Sequence, residues 1–193
     1  MAKTVLLAIA LPQENAGNLL GALGHDIVYT GVGKVNAAMH LTQALMSKDR
    51  KDLIVINLGS AGSHRFDAGG VICATSFFQR DMDATALDFA FGQTPFEEAT
   101  YLHNGTAIPG LPQAACYTGD SFVTERHPVL RFDIIDMEAY ALAKVCEHFD
   151  VPFLSLKFIT DGANGQAAAE WSEAVVMAAE KLNEALEKAL PFL

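Results

Sequence analysis

The chain has 193 residues, 51% of them hydrophobic and only 19% charged, with 15 glycines. That length and apolar content suit a single compact domain over residues 1–193 and exclude a disordered or coiled-coil chain. Acids outnumber bases 23 to 13, a formal net charge of -10, so the summed field repels polyanions and nucleic acid is excluded as a partner.

The first apolar run, Val5 to Leu11, is brief and is followed directly by Pro12, Gln13 and Glu14, so it reads as a buried strand, over Val5 to Ala10, and not as a signal peptide. No other apolar run approaches the roughly 20 residues of a membrane helix, and the expectation is a soluble, cytoplasmic protein with no membrane partner. A helical pattern over Glu14 to Leu23 comes next, then a strand over Asp26 to Thr30 and a helix over Lys34 to Met46. Strands are predicted over Leu53 to Leu58 and Val71 to Phe77. The stretch from Thr94 to Pro112, punctuated by Pro95, Gly105, Pro109 and Gly110, reads as a loop or short-element excursion. A strand over Asp133 to Met137, a helix over Glu138 to Phe149, a strand over Phe153 to Thr160 and an Ala-, Glu- and Leu-rich helix over Ala168 to Leu190 complete the chain. Strands alternating with helices specify an α/β protein with a largely parallel sheet. Cys73, Cys116 and Cys146 are an odd number at unrelated spacings in apolar stretches, which predicts buried free thiols and no zinc site.

In an open α/β sheet, ligands sit beyond the carboxyl ends of the strands. The turn Gly31-Val32-Gly33-Lys34 lacks the spacing of a Walker loop and the third glycine of a dinucleotide fingerprint, so it reads as a tight strand-to-helix turn. Gly59-Ser60-Ala61-Gly62 is out of frame for a nucleophile elbow; its small residues suit either a turn or a close backbone approach to a ligand. Asp81-Met82-Asp83 reads as a solvated loop, and the six histidines have no metal-binding spacing. Glu138 could serve a helix N-terminus through the backbone dipole, and Asp161 could cap the turn before Gly162. As a set, however, Glu14, Glu138 and Asp161 fall at the exit edge of one sheet with Ser60 beside them, the arrangement expected for acid–base work on a neutral polar substrate.

Six segments fall in an order that resembles the nucleoside phosphorylase and nucleosidase superfamily: residues 31–38 (GVGKVNAA), 57–62 (NLGSAG), 83–86 (DATA), 118–122 (TGDSF), 136–139 (DMEA) and 160–162 (TDG). Within it the chain is most similar to the 5'-methylthioadenosine/S-adenosylhomocysteine nucleosidases. The resemblance implies a three-layer, phosphorylase-like α/β fold with a mixed, partly barrel-like central sheet flanked by helices, and a homodimer whose partner loop closes each site. It implies that Glu14 activates the attacking water and that Asp161 protonates the purine at N7, oriented by Ser60. Glu138 would hold the ribose hydroxyls, with Met137 packed under the sugar. Phe122 would stack on the base, and the backbone of Val123 would read its edge. Ala61, Gly62 and Asp136 complete the implied substrate-binding set. Leu87, Phe89 and Phe91 match the partner-supplied loop over the 5' substituent. No cofactor or metal is implied. The sequence departs from the family pattern at Lys157, where an arginine is usual, at Thr160, where a serine is common, and in a shortened stretch from Thr94 to Ala115.

Cleaving an N-glycosidic bond passes through an oxocarbenium-like sugar, so the purine leaves well only if protonated as the bond breaks. Asp161 must therefore hold a proton at neutral pH, which calls for a partly desolvated site, whereas Glu14 should be ionised to polarise water. A phosphorylase would need a phosphate cradle near the first strand exit, but Pro12 there lacks an N–H and Glu14 would repel the dianion. Water is the better nucleophile. The expectation is thus a metal-independent hydrolase of a purine nucleoside with an apolar 5' group. The alternatives are a nucleosidase for another nucleoside such as futalosine, a phosphorylase of the same fold, or a non-catalytic nucleoside-binding protein.

Overall fold

Successive residues of the first strand alternate between two separate cores. Val5, Leu7 and Ile9 of β1 (Thr4–Ile9) pack in one and Leu6 and Ala8 in the other, so the sheet is covered on both faces. The structure, a computed structural model, describes residues 3–125 and 131–193. The strands that follow are β2 (Asp26–Tyr29), β3 (Leu53–Ser63), β4 (Val71–Gln79), β5 (Tyr101–Leu102), β6 (Gln113–Thr118), β7 (Ile134–Asp136) and β8 (Phe153–Asp161). Three α-helices accompany them: α1 (Lys34–Met46), α2 (Ala139–His148) and α3 (Ala167–Ala189). Leu41 and Leu45 of α1 and Leu142 and Cys146 of α2 fill the core on one side of the sheet; Ala178, Leu182 and Leu186 of α3 fill the other. The helices thus sandwich the sheet in three layers.

The sheet is mixed and closes on itself. β3 runs parallel to β8, β8 antiparallel to β4, β4 parallel to β6, β6 parallel to β7, and β7 antiparallel to β3. β1 and β2 extend this ring in parallel from β3, and β5 adds antiparallel to β4. The mixed, partly barrel-like sheet implied by the family resemblance is therefore present; five of the eight pairings are parallel, as strand–helix alternation leads one to expect, and the three antiparallel ones, β3 with β7, β4 with β5 and β4 with β8, are what that alternation does not announce. Two of the antiparallel pairings, β3 with β7 and β4 with β8, join strands distant in sequence, so no hairpin turn announces them.

Three expectations change. The helix predicted over Glu14 to Leu23 is instead two 3-10 turns, Pro12–Asn18 and Leu20–Leu23, interrupted by non-helical backbone at Asn15, Ala16 and Gly17. Asn15 competes for the backbone there, its Oδ1 accepting from Leu20 N at 2.9 Å. Residues 59–62 do not form a turn: they lie within β3, with a register shift against β8 between Ala61 and Gly62. Finally, Gln113–Thr118 forms a strand, β6, outside the predicted elements. The three cysteines are free and buried, as expected, and among the described residues no helix is long and apolar enough to cross a membrane.

Candidate active site

A cavity of about 480 Å³ opens where the first 3-10 turn, the ends of β3, β7 and β8, and the start of α3 meet. Its lining includes Glu14, Ser60, Ala61, Gly62, Phe122, Val123, Asp136, Met137, Glu138 and Asp161, so ten of the site residues expected from the sequence are brought together. Leu87, Phe89 and Phe91 are not among its lining residues. They belong to a surface segment in which Leu87 is 69% exposed, Phe91 41% and Phe96 94%, with Phe89 edge-on to Phe96.

Glu14 is buried because the chain turns sharply after β1. Its Oε2 accepts from Leu11 N at 3.2 Å, closing the first 3-10 turn, while Oε1 accepts from both Ser60 N at 2.8 Å and Ser60 Oγ at 2.7 Å. Ser60 Oγ in turn accepts from Trp171 Nε1 at 3.0 Å. Asp161 ends β8 and is also buried; its Oδ1 accepts from Ala163 N at 2.9 Å and its Oδ2 from Thr160 Oγ1 at 2.8 Å. Gly62 has to be glycine for that acid to sit there, since a Cβ at this position would lie 2.6 Å from Asp161 Oδ1.

Glu138 precedes α2 and is buried, with Gly33 N donating to its Oε1 at 2.9 Å. The turn that read as a plain strand-to-helix connection is such a turn, with Gly31 and Gly33 at φ 74° and 92°, and it also aims a backbone N–H at the site. Lys34 holds the turn in place: its Nζ pairs with Asp81 Oδ1 at 2.6 Å and its backbone N donates to Asp120 Oδ1 at 2.7 Å. Burial, reinforced by the neighbouring Asp136 charge, pushes the Glu138 carboxyl up to about 8. Asp136 lines the cavity, but its carboxylate is taken up by the protein. Oδ1 accepts from Thr118 Oγ1 at 2.6 Å, and Oδ2 from Ala139 N at 2.8 Å and from Lys157 Nζ at 2.8 Å. Burial alone would raise the Asp136 carboxyl, yet the Lys157 ammonium holds it below the usual carboxylate value. Burial likewise works to lower Lys157, and Asp136 overcomes it and keeps the lysine charged.

Phe122, 46% exposed, and Val123, packed with Ile135 and Ala163, also line the cavity. Among the described lining residues Trp171 is a polar-tipped aromatic that no sequence motif marks. Its signal was its position: the only tryptophan of the chain, ten residues after Asp161 and just inside the helix that follows it. Chemically, the cavity offers four buried carboxyl groups, of which Asp136 is paired with Lys157, together with an aromatic face and no lysine or arginine among its described lining residues. Such a lining suits a neutral, partly apolar molecule and opposes an anion.

Fold and site together define a nucleoside-processing class, and the chain belongs to the phosphorylase superfamily, whose family model matches residues 21–191. It is 34% identical over 179 residues to a 5'-methylthioadenosine/S-adenosylhomocysteine nucleosidase of Haemophilus ducreyi, covering 82% of this chain and 76% of that one. In architecture it is similar to the Neisseria meningitidis 5'-methylthioadenosine/S-adenosylhomocysteine nucleosidase in complex with methylthio-immucillin-A, with a TM-score of 0.85 at 24% identity over 99% of this chain and 100% of that one. The native futalosine hydrolase of Helicobacter pylori shares the fold equally well, with a TM-score of 0.85 at 19% identity over 100% of this chain and 99% of that one.

Proposed function

We propose that the protein hydrolyses the N-glycosidic bond of a purine nucleoside with an apolar 5' group, 5'-methylthioadenosine or S-adenosylhomocysteine, releasing the base and a ribose derivative. The observation that carries this reading is the convergence of buried Glu14, Glu138 and Asp161 on one cavity that has an aromatic side chain, Phe122, on its wall. Water bound to Glu14 attacks C1' and gives its proton to that carboxylate. The bond from C1' to N9 breaks with its electron pair passing to the purine, and Asp161 supplies a proton to N7. Phe122 stacks on the base, the Val123 backbone meets its edge, Met137 lies under the sugar and Glu138 accepts from the ribose hydroxyls. Negative charge at Glu14 offsets the positive charge that builds on the ribose in the transition state.

Water is favoured over phosphate by the same lining. A phosphorylase must hold a dianion beside C1', and the described residues of the cavity supply carboxylates there and no cationic side chain. The exposed apolar stretch containing Leu87, Phe91 and Phe96 supports a homodimer in which this segment covers the partner's 5' pocket, since isolated patches of that kind are uncommon on monomers. Three free buried thiols support a reducing, cytoplasmic location. The test is turnover of a nucleoside panel, comprising 5'-methylthioadenosine, S-adenosylhomocysteine, inosine and futalosine, followed by release of the free base. The reading expects the adenosines with sulfur-linked 5' groups to lead; preferential turnover of futalosine, or of none of the four, would overturn it.

A further inference from the structure

The nucleosidase reading leaves Trp171 without a task, although its indole N–H points into the hydrogen-bond system of Glu14. We propose that Trp171 is a positioning residue for Glu14, acting through Ser60 to decide which carboxylate oxygen is left free for the nucleophile. The inference rests on the proposed function and deepens it.

A serine hydroxyl has one hydrogen to give and two lone pairs to receive with, and it rotates freely unless its partners fix it. An indole N–H can only donate. With Trp171 Nε1 at 3.0 Å, one lone pair of Ser60 Oγ is occupied and the hydroxyl hydrogen is directed to Glu14 Oε1 at 2.7 Å. Ser60 N donates to the same oxygen at 2.8 Å, so both acceptor positions of Oε1 are filled. Leu11 N occupies one position of Oε2 at 3.2 Å, which leaves a single open acceptor position on the carboxylate, on Oε2. A water bound there has one place to sit. Without the indole, the hydroxyl can turn away, Oε1 regains an open position, and the water acquires a second, unproductive site. Positioning of this kind acts on the chemical step more than on substrate capture, because the nucleophile and not the nucleoside is displaced.

The chain's single tryptophan provides a readout that needs no activity. Its one indole N–H resonance should move in Ser60→Ala, which removes the acceptor, and in Glu14→Gln, which alters the next link. Trp171→Phe keeps an aromatic ring in the wall while losing the donor and part of the ring volume; it should lower kcat by roughly 3–10-fold, the worth of one hydrogen bond, with KM nearly unchanged. Combined with Ser60→Ala, it should cost nothing beyond Ser60→Ala alone. An indole resonance unmoved by both Ser60→Ala and Glu14→Gln overturns the proposal, as does a Trp171→Phe effect confined to KM or fully additive with Ser60→Ala. Absence of wild-type turnover on every nucleoside would instead overturn the proposed function, and the resonance measurement would still decide whether the chain from Trp171 to Glu14 exists.

Discussion

Lys157 and Asp136, the latter two residues before Glu138 along the chain, form an ion pair at 2.8 Å with both side chains 1% exposed. The pair joins β8 to β7 beneath the cavity, and each partner keeps the other charged in a place where neither could be charged alone. Breaking it from one side leaves a buried charge. Lys157→Met should therefore cost about 3–5 kcal/mol of stability, read from urea unfolding. A loss of under about 1 kcal/mol, the range of exposed pairs, would show that Asp136 finds other compensation.

Glu138 makes stability depend on pH with a sign opposite to that of a salt-bridged carboxylate. Its carboxyl is raised by burial from 4.5 to about 8, so between those values the folded state binds the proton that the unfolded state has lost. Stability then falls as pH rises through that window. Glu138→Gln, which keeps an acceptor for Gly33 N, should be progressively more heat-stable than wild type as pH rises toward 8 and should match it in acid. Thermal unfolding across pH checks this; a wild-type-minus-variant difference that does not change with pH contradicts it.

Gly62→Ala sets a methyl 2.6 Å from Asp161 Oδ1, a separation that something must relieve. The acid is the nearest atom to give way. Turnover should fall by about 10²-fold, the scale for a displacement of about 1 Å at a reacting group, while the protein remains folded by circular dichroism. Unchanged turnover would mean that Asp161 is free to shift without consequence.

Asp161 could be a proton donor or only the former of the turn that follows β8. Asn preserves an acceptor for Ala163 N and most of the turn but supplies no comparable proton. Asp161→Asn should lower turnover of 5'-methylthioadenosine by about 10²–10⁴-fold, the usual worth of a general acid. Inosine should suffer less, because an amide can hydrogen-bond N7 without protonating it. Equal, near wild-type rates on both substrates, with unfolding temperature unaltered, would leave Asp161 a turn residue.

The carboxylates were legible in the sequence because each stands beside a small-residue or turn segment at the end of an apolar run: Asp161 before Gly162, Glu138 at the start of a helix, Glu14 after Pro12. Closure of the sheet was legible only through family resemblance, since its antiparallel partners, Gly62 with Ile135 and Cys73 with Leu156, are separated by more than seventy residues and leave no local trace. β6 was hidden because Gln113 to Thr118 follows a proline- and glycine-rich stretch and alternates buried Ala114 and Cys116 with less buried neighbours, a weak signal in six residues. The 3-10 turns after β1 were misread as a helix because the apolar spacing there is helical, and what breaks the helix, Asn15 binding Leu20 N and a carboxylate folded inward, is a tertiary demand. Trp171 escaped for a similar reason: in an amphipathic pattern it passes for core, and its role lies in one N–H.

Attack of water on the sugar is tested by incubating the purified protein with 5'-methylthioadenosine in phosphate-free buffer and then with phosphate added, identifying both products. Adenine and 5-methylthioribose should appear in equal amounts, at a rate that phosphate does not raise. Base release that depends on phosphate and yields 5-methylthioribose 1-phosphate would contradict attack by water.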